Sequence, residues 1–220
     1  MVSANLAMSL DVPVLYCAQD TPASMLSRMT ALHLGEEIKD IAYALTDDDH
    51  RDSIASQMDT MKQDLIFNRG AVTIDHLRDM LVALREWIGR SPPVVIIDNL
   101  IDLIVPGHNH GELTFYSVAL TELKRLAQEQ DTLIIALHHV TRGGGSRHGQ
   151  GQSPISMNDL LYAGEREART VFGIYNDGND VITVQVLKQQ DGRADPAGDL
   201  QIPLRWYPRA GKLVSMGGLA

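Results

Sequence analysis

The sequence predicts an α/β fold, a doubly wound and mostly parallel sheet that ends in an antiparallel β extension. Three apolar runs at 14–18, 94–97 and 132–137 are bounded by turn residues, which is typical of strands covered on both faces. Helical spacing of apolar residues separates them, most clearly over 73–88 and 112–130. Strands that alternate with helices pair in parallel, so their polar ends are expected to meet at one edge of the sheet.

Capping and turn residues mark the other elements of the N-terminal half. Residues 2–10 have the apolar spacing of a short helix, and Thr21 with Pro22 suits the start of the next one. Thr46 before the acidic run 47–49 predicts a further helix start, where the acids complement the helix dipole rather than bind a metal.

The C-terminal third has a different pattern. Residues 142–153 contain no side chain that could build a core, which predicts a mobile loop. The runs 171–175, 181–187 and 200–206 are rich in β-forming residues and are separated by turn residues. Short turns between strands favour antiparallel pairing.

The composition bounds the class of protein. With 220 residues, of which 44% are hydrophobic, the chain can bury one good core, so a single domain over 1–220 is expected. A net charge of −9 argues against a wholly basic surface that coats nucleic acid or binds membranes. The one cysteine, Cys17, excludes a disulfide or zinc framework and fits a buried position in a reducing cytoplasm. No apolar run approaches the roughly 20 residues of a membrane span, so a soluble, cytoplasmic protein is expected.

The most informative stretch is 94–99, in which four apolar residues lead into Asp98 and Asn99. Burying an unpaired carboxylate is costly, so Asp98 is expected at the carboxyl end of its strand, the edge where open α/β sheets bind ligands. A hydrophobic strand that ends in Asp is the Walker B pattern of nucleotide triphosphatases, whose carboxylate holds Mg²⁺ through water. An aspartate that caps a turn explains the same pattern without any ligand.

Four segments, taken in order, carry a resemblance to one family. Residues 14–22 place an acidic residue and a proline after a buried strand, and 94–99 supply the Walker B pattern. Residues 136–142 carry a histidine at a strand tip before the polar loop, and 188–198 combine basic residues with a glycine-containing turn. Together they resemble, over essentially all 220 residues, the RecA-fold motor domain of DnaB-like replicative DNA helicases, in the short form encoded by bacteriophages of actinobacteria.

The resemblance implies ATP and Mg²⁺ as cofactors and gives several residues a role at the nucleotide. Asp98 would hold Mg²⁺ through water, with Asn99 beside it. Asp20 would orient or deprotonate the attacking water, and His139 would sense the γ-phosphate. Structural explanations compete with these roles, because Asp20 is also placed to cap the following helix and a satisfied polar histidine can end a strand.

The same resemblance implies partners. Lys188 and Arg193 would act on the nucleotide of a neighbouring subunit, which requires a homo-oligomer, expected to be a hexameric ring. Arg142, Arg147 and His148 would grip single-stranded DNA from the mobile loop. A replication loader or a primase would be a further partner of such a ring, and no membrane is expected. The structural alternatives are that Lys188 and Arg193 are solvated cations on a turn, and that the mobile loop is a plain flexible linker.

Two departures from the family pattern reduce the catalysis that we expect. The sequence contains no Gly-x-x-x-x-Gly-Lys-Ser/Thr phosphate loop, and residues 1–6 resemble the helix that follows one, so the chain is expected to begin just past its own phosphate cradle. The hairpin has Gln190 where the family usually has a second basic residue. We therefore expect poor ATP binding and little hydrolysis, which an upstream Gly-Lys-Ser segment would restore.

Three functions compete on this evidence. The leading one is an ATP-driven helicase motor that translocates on single-stranded DNA. A catalytically silent RecA-like module that binds DNA or partners is favoured by the missing phosphate loop. A recombinase-like or regulatory RecA-fold ATPase would share the Walker B and sensor patterns, although the hairpin at 188–198 favours the helicase branch. Tyr16, Trp87 and Trp206 are assigned to packing, since no aromatic array predicts a surface for base stacking.

Overall fold

A computed structural model describes residues 2–59, 65–90, 92–109, 113–139, 154–157, 167–176 and 179–216. Its contacts divide the chain into two compact units. The first is formed by Met1–Pro106, Arg125–His138 and Pro208–Lys212, and the second by Gly107–Lys124, His139–Tyr207 and Leu213–Ala220. The predicted mobile loop at 142–153, with Arg142, Arg147 and His148, lies outside the described residues.

Helices alternate with parallel strands in the first unit. Its helices are α1 (Val2–Ser9), α2 (Pro22–Leu34), α3 (Ile38–Ala44), α4 (Asp48–Met58) and α5 (Ile74–Ile88). Its strands are β1 (Val14–Ala18), β2 (Leu65–Arg69), β3 (Val72–Thr73), β4 (Val94–Asp98), β5 (Leu103–Ile104) and β6 (Leu133–Ala136). A short 3-10 helix, Leu100–Asp102, follows β4, and the residues of α6 (Leu113–Gln130) are divided between the two units. None of the helices that the structure describes is long and apolar enough to cross a membrane.

The main sheet of the first unit has the strand order β2-β1-β4-β6, and all its pairings are parallel. The chain enters at β1, adds β2 on one side and then adds β4 and β6 on the other. The order therefore reverses between β1 and β4, where Ala18 pairs with Asp98. In open α/β sheets this reversal opens a crevice at the carboxyl ends of the two strands, where ligands bind.

Small and flexible apolar residues hold α1 and α2 against this sheet. Ala4 and Ala7 of α1 let the helix approach closely, and Met25 and Met29 of α2 fill the remaining space. Their buried partners in the strands are Val14, Tyr16, Ala18, Val94 and Ile96. The buried character predicted for the runs at 14–18 and 94–97 is therefore confirmed. The same prediction for the run at 132–137 is wrong, because β6 is an edge strand of the described sheet and its Leu133 is 58% exposed.

Helix starts follow the predicted capping chemistry at one position and differ from it at another. The Thr21 side chain accepts a hydrogen bond from Ser24 N at the start of α2, as expected. For α4 the cap is Asp47, whose carboxylate accepts from Asp49 N, and Thr46 is not the cap. Thr46 instead donates its hydroxyl proton to Tyr43 O at the end of α3. The structure thus shifts the predicted cap by one residue, because a helix the sequence analysis did not predict ends immediately before it.

The second unit contains an antiparallel sheet. Its strands are β7 (Thr170–Asn176), β8 (Val181–Gln189), β9 (Gln201–Tyr207) and β10 (Lys212–Ser215), in the order β10-β9-β8-β7. The first residue of β10, Lys212, is counted with the first unit. β8 pairs antiparallel with both β7 and β9, as the short turns predict. These strands form a sheet of their own rather than continuing the parallel one. The predicted class, an α/β fold with an antiparallel C-terminal part, is confirmed.

Candidate functional site

Asp98 lies at the carboxyl end of β4, where the strand order reverses. The four residues before it in β4 are buried, whereas Asp98 is half-buried and so keeps access to the edge of the sheet. The predicted position of this carboxylate at the strand end is confirmed. Its role at a metal stays a prediction, because position alone also suits a turn residue.

Two hydroxyl groups meet the Asp98 carboxylate. Ser3 Oγ donates to Asp98 Oδ2 at 2.6 Å, and the Tyr16 hydroxyl approaches the same oxygen at 2.6 Å. The Tyr16 and Ser3 oxygens are themselves 2.7 Å apart. Ser3 is 2% exposed and Tyr16 is 1% exposed, so both hydroxyls are removed from bulk solvent. We call these three residues the Asp98 triangle.

The fold brings the Asp98 triangle together from three separate elements. Ser3 is in the first turn of α1, and Tyr16 is in the middle of β1, beside β4. The Tyr16 ring stacks on Phe67 of β2 with ring centroids 6.1 Å apart, which fixes the direction of its hydroxyl.

Two packing assignments made from the sequence are incomplete or wrong, and one residue of the site was missed. Tyr16 was assigned to packing, and its ring does pack, but its hydroxyl also belongs to the site. Trp87 was assigned to packing as well, yet it is 78% exposed. Ser3 was not singled out at all. The available signals were a hydroxyl in the first turn of the helix before β1, and a tyrosine inside an otherwise apolar strand.

Burial keeps the Tyr16 phenol protonated. It raises the pKa of Tyr16 well above its ordinary range, and the hydrogen bond to Asp98 raises that pKa further. Tyr16 is therefore a permanent hydrogen-bond donor at neutral pH. The neighbouring Cys17 is also buried, which raises the pKa of its thiol to about 12 and leaves it an unreactive apolar residue, as predicted.

Asp20 follows the end of β1, on the strand next to β4. Arg28, two turns along α2, forms an ion pair with the Asp20 carboxylate. The cap of α2 is Thr21, so the capping explanation for Asp20 does not apply. Both side chains of the ion pair are partly exposed, which leaves the Asp20 carboxylate in contact with solvent.

Asn99 has a structural task next to Asp98. Its Oδ1 accepts from Ile101 N at 3.1 Å, and its own N–H donates to Asp102 Oδ2 at 3.1 Å. This reciprocal capping box starts the 3-10 helix after β4. A role for Asn99 at a nucleotide remains a prediction.

Three further predicted site residues lie among the described residues. His139 is exposed and follows β6. Lys188 is half-buried near the end of β8, and Arg193 is exposed in the turn after it. Among the described residues no group of three His, Cys, Asp or Glu side chains could hold a metal ion. Any cation at Asp98 must therefore complete its shell with hydroxyl, water or phosphate oxygens.

The oxygen atoms of the Asp98 triangle suit Mg²⁺ in type. Mg²⁺ prefers oxygen ligands and usually takes one or two from the protein, with water and phosphate supplying the others. The Asp98 carboxylate and the Ser3 hydroxyl, 2.6 Å apart, form such a pair. The oxygen atoms at this corner of the sheet therefore fit a magnesium ion in their chemistry.

Solved structures with the same architecture include an ATPase domain and a replicative helicase. The structure described as an ATPase domain has a TM-score of 0.75 and 17% identity, covering 97% of this chain and 78% of that chain. The chain has the RecA-like fold of DnaB-type ATPase domains. A second structure, of a DnaB-like replicative helicase and its interactions with primase, has a TM-score of 0.76 and 17% identity, over 98% of this chain and 54% of that chain. This RecA-like chain thus spans about half the length of the second protein.

The relatives by sequence are phage proteins. The Gene 65 protein of Mycobacterium phage L5 is 22% identical over 200 residues, which is 87% of this chain and 72% of that protein. The Gene 65 protein of Mycobacterium phage D29 is also 22% identical over 200 residues, 88% of this chain and 84% of its own length. No protein-family model matches the sequence. The predicted similarity to bacteriophage proteins is confirmed.

Proposed function

We propose that this chain is a motor domain of the DnaB-like helicase class, which couples ATP hydrolysis to movement along single-stranded DNA. The contact between Ser3 Oγ and Asp98 Oδ2 at the strand-order reversal carries the proposal. In phosphate-loop enzymes the hydroxyl that ends the loop motif and the Walker B carboxylate serve the same Mg²⁺. Ser3 and Asp98 are 95 positions apart in sequence, and they have the chemistry and the location of that pair.

Each residue at this edge would have one task. Bound Mg²⁺ would neutralise part of the negative charge of the phosphates. Ser3 and Asp98 would hold it, Asp98 through water. Asp20 would orient the attacking water once Arg28 shares or releases its carboxylate, and His139 would detect the γ-phosphate.

A ring of identical subunits completes the proposed site. Lys188 and Arg193 would neutralise charge on the nucleotide of the neighbouring subunit, and Arg142, Arg147 and His148 would contact the DNA backbone. These assignments rest on the family resemblance. The similar structures described above, an ATPase domain and a DnaB-like helicase with primase, support the proposed class of this chain.

One position argues for a silent module as the second candidate. In the motif Gly-Lys-Ser/Thr the lysine directly precedes the hydroxyl residue and reaches the β- and γ-phosphates. If Ser3 is the hydroxyl residue, Val2 stands where the lysine would be. Valine carries no charge, so ATP binding by this sequence should be weak.

Binding of a fluorescent ATP analogue with and without Mg²⁺, followed by hydrolysis with and without single-stranded DNA, tests the two candidates. A motor domain predicts Mg²⁺-dependent binding that Val2→Lys strengthens and Asp98→Asn removes. Asp11→Asn is the matched control, since Asp11 is an exposed carboxylate just before β1, at the opposite edge of the sheet. If neither the native chain nor Val2→Lys binds the nucleotide, the motor proposal is wrong and the silent module stands.

A further inference from the structure

Tyr16 gives Asp98 a second hydroxyl donor, beyond the one that a metal-binding pair requires. The Tyr16 hydroxyl oxygen lies 2.6 Å from Asp98 Oδ2 and 2.7 Å from Ser3 Oγ, and those two oxygens are themselves 2.6 Å apart. The phenol therefore contacts both oxygens of the proposed metal-binding pair at once.

A cation held by Ser3 directly and by Asp98 through water needs the place beside these two oxygens that the Tyr16 hydroxyl fills. Ser3 can become a ligand itself, because its hydroxyl proton can rotate away while its oxygen stays in place. The Tyr16 proton has to leave Oδ2 for the cation-bound water to donate there. Its ring cannot move freely, since Tyr16 is 1% exposed and stacked on Phe67.

We propose that the Tyr16 phenol competes at Asp98 Oδ2 with the water through which Asp98 would hold a divalent cation, so that Tyr16 sets the cation affinity of the site. This inference rests on the proposed function, because it takes Asp98 as a cation ligand. Removing the phenol oxygen should leave Ser3 and Asp98 in place and make Oδ2 available. Hydrogen bonds to charged groups are among the strong ones, so the expected gain in affinity is at least about tenfold.

Binding of Mn²⁺, a paramagnetic replacement for Mg²⁺, measures this affinity without any turnover. The full chain is titrated with Mn²⁺ while the signal of the free ion is followed by electron paramagnetic resonance. Tyr16→Phe should bind Mn²⁺ at least about tenfold more tightly than the native chain, because one competing hydrogen bond is lost. Tyr43→Phe is the control, since Tyr43 is 78% exposed, and it should bind as the native chain does. Adding Asp98→Asn should abolish the binding in every background.

The outcomes separate this inference from the proposed function. If Tyr16→Phe and the native chain bind Mn²⁺ equally and both lose it with Asp98→Asn, the cation site stands and the inference about Tyr16 is wrong. If no variant binds Mn²⁺, the inference about Tyr16 is wrong, and the proposed function is decided separately by the nucleotide-binding experiment with Val2→Lys. Competition also requires a change in the tyrosine near-ultraviolet difference spectrum when the native chain binds Mg²⁺. An unchanged spectrum would overturn the inference even if Tyr16→Phe failed to fold.

Discussion

The carboxylate of Asp98 in the first unit accepts hydrogen bonds from two side-chain hydroxyls, whereas that of Asp195 in the second accepts them from backbone N–H groups. At Asp195 the donors include Leu200 N at 2.8 Å and Ala197 N at 3.0 Å. A hydroxyl can turn its proton away and let water or a cation replace it, but a backbone amide held in a turn cannot. The hydroxyl donors therefore allow Asp98 to exchange a hydrogen bond for a ligand. The amide donors of Asp195 instead hold a turn in place.

Interior hydrogen bonds fix the segment around Asp195. The fully buried Gln185 donates a hydrogen bond from Nε2 to Gly198 O at 2.6 Å. Its Oε1 accepts a hydrogen bond from Ile155 N at 2.8 Å. Asp195 N also donates to Val186 O at 2.9 Å. These bonds anchor the residues that follow the turn carrying Arg193. The proposed trans-acting cations thus belong to a hairpin whose C-terminal side is held rigidly.

The largest loss of stability is expected for Gly198→Ala, in the rigid segment around Asp195. Gly198 has φ +86°, and a Cβ there would lie 2.2 Å from Gln185 Nε2 and 2.5 Å from Ile155 O. Left-handed backbone strain and overpacking each cost on the order of 1–3 kcal/mol, so we expect a loss of about 3 kcal/mol in the free energy of unfolding. Urea denaturation measures it.

Gly107→Ala separates the two causes. Gly107 has φ +78°, but no atom lies within 4 Å of its added Cβ. Only the backbone strain applies, so the expected loss is about 1 kcal/mol. Equal losses for both variants would show that the contacts of Gly198 with Gln185 and Ile155 do not limit the turn.

Tyr16→Phe should have the next largest effect on stability, at Asp98, whose hydroxyl donors can be exchanged. The variant keeps the ring on Phe67 and removes only the oxygen that contacts Asp98. Because the acceptor is a carboxylate, we expect a loss of about 2 kcal/mol in the free energy of unfolding, measured without divalent cations.

The exposed Tyr43 provides the reference for that measurement. Tyr43→Phe should leave the free energy of unfolding unchanged. Saturating Mg²⁺ should restore part of the stability lost in Tyr16→Phe, since a ligand that binds the native state stabilises it. If Tyr16→Phe is as stable as the native chain, the phenol does not contribute a hydrogen bond to Asp98.

Local patterns explain which parts of this molecule the sequence predicts. Apolar runs and helical spacing located β1, β4 and α5, and the terminal aspartate of β4 identified Asp98, because these signals lie within one turn or strand. The Asp98 triangle depends instead on contacts between residues 13, 82 and 95 positions apart. Such contacts follow from strand order and helix docking, which a linear pattern does not contain. Ser3 and the Tyr16 hydroxyl were missed for this reason.

Lowering the pH should distinguish Asp195 from an ordinary surface aspartate. Backbone hydrogen bonds, with Leu200 N the strongest, hold the pKa of Asp195 below its usual value. Its stabilising effect is therefore complete above the unfolded pKa of about 4 and is lost as the pH falls through the lowered folded pKa. The stability difference between the native chain and Asp195→Asn should shrink in urea melts stepped down from neutral pH.

Asp199→Asn is the control for this titration, because its side chain is exposed. Urea melts of this variant over the same pH range provide the reference. At neutral pH the effect of Asp195→Asn should be smaller than that of Tyr16→Phe, since an amide oxygen still accepts part of the backbone hydrogen bonds. A pH-independent difference for Asp195→Asn would mean that the carboxylate charge is not what holds the turn.

The smallest effect is expected at Asp20, whose donor is a charged side chain rather than a hydroxyl or an amide. The side chains of Arg28 and Asp20 are 31% and 41% exposed, and ion pairs at this level of exposure contribute less than about 1 kcal/mol. Arg28→Ala should therefore cost less than about 1 kcal/mol, by an amount that falls with added salt, and Arg28→Lys should cost less still. A loss as large as that of Tyr16→Phe would show that Arg28 holds Asp20 too firmly to exchange it for water. A small loss leaves the Asp20 carboxylate available to the attacking water, which is the property that the proposed hydrolysis requires of it.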